Sequence, residues 1–105
     1  MDRRTTVVKK LKTFKSNLNR KVPIKRMIFF GSRVSGKPHR DSDIDLIIVS
    51  DKFRKKKFRY RPLGFYDYWN LSYPVDFLCY TPEEFNKLKK QITIVREAVR
   101  EGIEI

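Results

Sequence analysis

The segment that most restricts how this chain can fold is Ser42–Ser50, SDIDLIIVS. Residues Ile44–Val49 form a short apolar run of the kind that makes a buried strand. Asp43 and Asp45 alternate with Ile44 and Leu46 at its start. In an extended strand, side chains two apart share a face, with Cα atoms about 6–7 Å apart. Both carboxylates therefore point the same way, while Ile44, Leu46 and Ile48 face a core. Alone, such a pattern also suits two solvent-facing acids on an edge strand.

The remaining elements fall around this strand. Val7, Val8, Leu11, Phe14 and Leu18 lie on one helical face of Thr5–Leu18, which predicts an amphipathic helix. Lys25–Phe30 is short, apolar and ends at glycine, and so reads as a buried strand, and Tyr73–Tyr80 reads as a third. Thr81, Pro82 and Glu84 form the start signal of a helix with a capping box. Phe85, Leu88, Ile92, Val95 and Val99 follow at helical spacing, with a break near Gln91–Thr93 and a cap at Gly102. LGFYDYWNL, residues 63–71, is aromatic enough to pack as a short helix. Together these predict an α/β or α+β domain around a small sheet, with residues 1–105 forming one domain.

Charge is the strongest compositional signal: 25 lysines and arginines face 12 acids, a net charge of +13. That field attracts polyanions such as nucleic acid, nucleotides or an acidic protein, though a merely solubilising surface has the same composition. No apolar run approaches the roughly 18 residues of a membrane span. The N-terminus lacks the apolar stretch of a signal peptide. Cys79 is the single cysteine, which excludes an internal disulfide and a cysteine zinc site. The expectation is a soluble, cytoplasmic protein with no membrane association.

Gly31–Lys37 spells Gly-x-x-x-x-Gly-Lys after an apolar run, close to a P-loop. The next position must carry the hydroxyl that holds magnesium, and here it is Pro38, which also lacks an N–H. Only Lys37–Ser42 separates Gly36 from the acids, leaving no room for the long helix and crossover that a P-loop fold needs. The P-loop reading is excluded.

The acids read better as a metal site. Two convergent carboxylates at a strand start offer hard oxygen ligands to one or two Mg²⁺ ions, as phosphoryl-transfer chemistry requires. Gly31 lets the backbone approach a phosphate, and Ser32 offers a hydroxyl and an N–H. Arg33, Lys37 and Arg40 surround that turn and suit a triphosphate. Asp76 sits inside an apolar strand, where a buried and unpaired carboxylate costs several kcal/mol. If that strand lies beside Asp43 and Asp45, Asp76 completes a set of three. A salt bridge to one of the many basic residues is the other account of Asp76.

An apolar strand, Gly31-Ser32, a spacer from Arg33 to Ser42, Asp43-Ile44-Asp45-Leu46 and then Asp76 among apolar residues resemble the polymerase-β-type nucleotidyltransferase superfamily. The nearest likeness is to its minimal, MNT-type members, and it extends from about Lys25 to the C-terminal residues. The resemblance implies a small mixed sheet with helices packed on one side, as a single minimal nucleotidyltransferase domain. It implies transfer of a nucleoside monophosphate, AMP from ATP, to an acceptor hydroxyl with release of pyrophosphate and two Mg²⁺ ions during turnover. Asp43, Asp45 and Asp76 would be the catalytic metal ligands, with Asp76 helping to deprotonate the acceptor. Gly31, Ser32 and Arg33 would hold the nucleotide, the short helix after Gly31 assisting, with Lys37 and Arg40 as weaker candidates. It also implies an antitoxin-like role beside a separate helical HEPN protein, whose tyrosine receives the AMP, or else assembly as a homo-oligomer. A non-catalytic antitoxin or basic RNA- or protein-binding module is the rival reading.

The segment DKFRKKKFRYRPLGFYDYWN, residues 51–70, is longer, more basic and more aromatic than that resemblance prepares for. Its stretch Lys52–Arg61 suits RNA backbones and exposed bases, an acidic protein, or a solvated run whose aromatics cover the core. His39 is expected in solvent, Cys79 as a buried thiol, and Trp69 in the core or an interface.

Overall fold

The structure, a computed structural model, describes residues 4–35 and 43–105. A sheet in the order β3-β2-β1-β4 carries the fold. Its strands are β1 (Arg26–Phe30), β2 (Ile44–Val49), β3 (Val75–Tyr80) and β4 (Ile103–Glu104). β1 runs antiparallel to both β2 and β4, whereas β2 and β3 are parallel. The mixed sheet and the α+β class are as expected.

Helices cover both faces of this sheet and are not confined to one. On the first face, Val7, Leu11, Phe14 and Leu18 of α1 (Arg4–Asn19) pack on Met27, Phe29, Leu46, Ile48, Phe77 and Cys79. On the second, Phe85 of α3 (Pro82–Leu88) and Val95 and Ala98 of α4 (Ile94–Glu101) pack on Ile28, Phe30, Ile47 and Val49. β1 and β2 are therefore buried on both sides, which explains why they read as nearly continuous apolar runs. Cys79 is buried on the first face, and burial pushes its thiol up to about 12, so it is an inert core residue. Trp69 packs edge-on to Phe14 at 5.1 Å and donates its indole N–H to the Tyr73 carbonyl at 2.9 Å.

The capping box of α3 forms as predicted, with Thr81 accepting from the Glu84 N–H and Glu84 from the Thr81 N–H. The break also falls where expected: the Thr93 hydroxyl donates to the Leu88 carbonyl at 2.7 Å and caps α4 by accepting from the Arg96 N–H. That break shifts the helical phase. Ile92 and Val99, expected in the core, are 94% and 38% exposed, and Val95 and Ala98 take the buried positions. Gly102 ends α4 in extended backbone (φ −80°), where an added Cβ would lie 2.4 Å from the Ala98 carbonyl oxygen. That close approach turns the chain into β4, an element not anticipated from sequence.

Parallel strands need a long crossover, and residues 50–74 supply it as 3₁₀ turns at Asp51–Phe53, Phe58–Tyr60 and Phe65–Tyr68. Phe53 and Phe65 are buried, so part of this basic, aromatic segment does cover the core. The buried Arg61 fixes the rest. Its guanidinium donates to the carbonyls of Lys56 and Cys79 and to both oxygens of Glu84, at 2.5 and 3.2 Å. Arg61 thereby covers the outer edge of β3 and docks the crossover onto the helix cap, blunting an edge strand that would otherwise invite pairing.

The Arg61 hydrogen bonds hold the Glu84 carboxyl below its usual range, assisted by the Thr81 backbone. This contribution is complete above the ordinary glutamate pKa and is lost as pH falls through the depressed folded value. Arg61→Met should cost about 2–3 kcal/mol at neutral pH, because it leaves the Cys79 carbonyl without its charged donor. Urea unfolding should also show this deficit shrinking as pH drops below about 4.5, the ordinary glutamate range.

Candidate active site

The carboxylates meet through strand register. In the β2–β3 pair Asp45 lies opposite Asp76, and in the β1–β2 pair it lies opposite Phe30, next to Gly31. β2 is an interior strand, so Asp45 is not an edge-strand acid. Asp43 precedes β2 on the same face. Asp43 and Asp76 are exposed and Asp45 is half-buried. The burial argument for Asp76 is thus corrected: it sits near the start of an outer strand, beyond the cover of the helices. Its position opposite Asp45, not burial, marks it.

Gly31 adopts φ +94°, and an added Cβ there would lie 2.1 Å from Oδ2 of Asp45. The Asp45 carboxylate therefore rests in the space left by the missing side chain. Ser32 is exposed and opens the short helix α2 (Ser32–Ser35), and the Val34 N–H donates to the Gly31 carbonyl at 3.0 Å. Arg33 is buried with its guanidinium 4.1 Å from the Tyr73 ring centroid, bracing this turn against the loop that enters β3. Lys37, Pro38, His39 and Arg40 lie outside the described residues.

Beside Asp45 is a cleft of about 220 Å³, lined by Gly31, Val34, Asp45, Ile94, Glu97 and Glu101. Glu97 and Glu101, one helical turn apart on α4, were not singled out from sequence. Their i,i+4 spacing puts them on one helical face, but nothing in the sequence ties that face to Asp45. Burial, then the charge of Asp76, then that of Asp43 raises the Asp45 carboxyl above the usual aspartate value.

Among the described residues no group of three or more acid, histidine or cysteine side chains is gathered into a metal cage. The donor chemistry nonetheless suits Mg²⁺. That ion keeps several waters and is usually held by one or two carboxylates together with substrate phosphates. The hard oxygens of half-buried Asp45 beside a cleft, with exposed Asp43 and Asp76 repelling its charge, meet that description.

A family model described as "Nucleotidyltransferase domain" matches residues 11–100, and the chain belongs to that family. The chemistry of the family is transfer of a nucleoside monophosphate. No curated protein matches the chain. A Sulfolobus solfataricus protein solved at 1.40 Å and provisionally assigned as a nucleotidyltransferase is similar in structure, with a TM-score of 0.58 and 16% identity. The match covers 93% of this chain and 83% of that one, and at such identity it speaks for the fold alone. Among the described residues no helix is long and apolar enough to cross a membrane.

Local geometry sets two expected outcomes. Gly31→Ala should lose about 1–3 kcal/mol in chemical denaturation through the left-handed backbone. Combining it with Asp45→Ala should recover only the part due to the carboxylate clash. Separately, the raised Asp45 carboxyl opposes folding once ionised. Asp45→Asn should therefore melt at a higher temperature than wild type at pH 7, and the gain should shrink as pH falls through the raised folded value and vanish below about 4, the ordinary aspartate value.

Proposed function

We propose that this chain transfers AMP from ATP to a hydroxyl on a separate protein, a HEPN-type partner, with Asp43, Asp45 and Asp76 as the Mg²⁺ ligands. The carrying observation is the register that sets Asp45 opposite Asp76 while Asp45 leans on Gly31. Gly31 and Ser32 take the triphosphate, and Arg33 lends its charge from its stacked position on Tyr73. Mg²⁺ bound at the carboxylates supplies charge neutralisation for the triphosphate and Lewis-acid polarisation of the reacting phosphoryl group. The chain's own work is alignment: it holds the α-phosphorus in line with the acceptor oxygen, and Asp76 takes the acceptor proton. A bond forms from the acceptor oxygen to the α-phosphorus, the bond to the β-phosphate bridge breaks, and pyrophosphate leaves.

An acceptor on another molecule fits the open carboxylate edge. Ile92, Ile94 and Val99 are exposed at the α4 side, and Ile94 also lines the cleft that contains Asp45. Exposed aliphatic side chains beside a reactive site favour a protein partner seated there.

The test is label transfer from ATP carrying radioactive phosphorus at the α-position, with Mg²⁺ and the candidate partner. Wild type should label the partner, and Asp45→Asn or Asp76→Asn should lower the rate by at least about a hundredfold. Unchanged transfer by either variant would remove that residue from the site. Ile94→Asp should abolish partner labelling while leaving the melting temperature near wild type. Failure of wild type to label any partner would return the chain to the non-catalytic reading.

A further inference from the structure

At the end of the sheet away from Asp45 and Asp76, cations from two distant parts of the chain meet around an apolar floor. Lys21, just after α1, and Lys52 and Lys56, in the crossover, rim a cleft of about 350 Å³ floored by Phe53, Phe65 and Tyr68. All three lysines are exposed, and none pairs through its ammonium group with another described residue.

The basic run Lys52–Arg61 divides by role. Arg61 is held by Glu84, and Arg54 pairs with Asp51 and Glu83. Lys52, Lys55, Lys56, Lys57 and Arg59 remain exposed. Among them stand two rings, Phe58 and Tyr60, 46% and 45% exposed. Phe58 rests against Tyr80 at 5.5 Å, and the Arg59 guanidinium lies 4.8 Å from the Tyr60 ring centroid. The Arg61 guanidinium, which lines the cleft, also lies 5.8 Å from the Phe58 ring centroid, and both rings keep nearly half of their surface open to water.

We propose that this surface binds single-stranded nucleic acid. Bases stack on Phe58 and Tyr60 and enter the cleft, and phosphates lie against Lys21, Lys52 and Lys56. Lysine is depleted from the centres of protein interfaces, whereas cations interleaved with open aromatic faces suit phosphates and unpaired bases together. A duplex offers the phosphates but hides the base faces. The site lies at the opposite end of β2 and β3 from the carboxylates, so it does not rest on the transferase reading.

Fluorescence anisotropy of the full chain tests this with labelled single-stranded RNA, single-stranded DNA and a duplex of the same sequence, across a salt series. One or both single strands should bind more tightly than the duplex. Phe58→Ala with Tyr60→Ala should weaken single-strand binding roughly tenfold or more with the salt slope unchanged. Lys52→Gln with Lys56→Gln should flatten the slope by about 0.7 per lost phosphate contact. Lys9→Gln with Lys12→Gln removes equal charge from the exposed side of α1 and should flatten the slope far less. All six positions are exposed, so melting temperatures should stay near wild type and confirm folded variants. Equal affinity for duplex and single strands, undiminished binding by the aromatic variant, or an equal effect from the α1 pair would overturn the proposal.

Discussion

The parallel register of β2 against β3 is the constraint on which the rest depends. A one-residue slip would turn Asp76 to the face holding Phe14 and Phe53, and the two carboxylates would no longer oppose each other. Side chains further along β3 lock the register: Phe77 and Cys79 belong to one core, while Leu78 and Tyr80 pack on the other. Apolar burial over the far part of the pair thus holds two like charges opposite each other at the near end. Burial, and after it the charge of Asp76, raises the Asp45 carboxyl, which has somewhere to rest only because residue 31 is glycine.

Parallel pairing also dictates the crossover. The chain leaves β2 at one end of the sheet and must re-enter β3 at the other, passing along an edge strand with open backbone groups. Arg61 satisfies the Cys79 carbonyl there, and the Tyr66 hydroxyl donates to the Val75 carbonyl at 3.4 Å. The length and aromatic content of residues 50–74 are therefore structural requirements in part. The exposed lysines and the rings of Phe58 and Tyr60 are not explained in that way, because removing them would leave both cores and the covered edge intact.

The sequence carried most of the fold where a residue's role is local. Apolar periodicity marked α1, capping chemistry marked Thr81–Glu84, and glycine after an apolar run marked the end of β1. It failed where the answer depended on packing. The break at Gln91–Thr93 is visible in the sequence, yet its effect on phase is not, so periodicity alone puts Ile92 and Val99 in the core. β4 is too short to show a period and exists because Gly102 lets the chain pass close to Ala98 and Ile28. In the candidate site, the motifs single out Gly31, Asp45 and Asp76, but that Asp76 stands opposite Asp45 follows from the parallel pairing of β2 and β3, which spacing does not state. The role of Arg33 as a brace on Tyr73 and the acidic wall of Glu97 and Glu101 emerge only in three dimensions.

The charges are distributed against the grain of the molecule. A chain with a net charge of +13 places Asp43, Asp45, Asp76, Glu97 and Glu101 around one end of its sheet. Beyond a Debye length of about 8 Å, an approaching polyanion is drawn by the summed basic field. Within that distance it meets carboxylates, and a bare triphosphate is repelled. On the proposed reading, a triphosphate already carrying a divalent cation would escape that repulsion and would offset the repulsion of Asp76 and Asp43 on Asp45. On that reading the arrangement would discriminate by charge state: long-range attraction is indifferent to which polyanion arrives, whereas the acidic end would favour one that brings its own counter-charge.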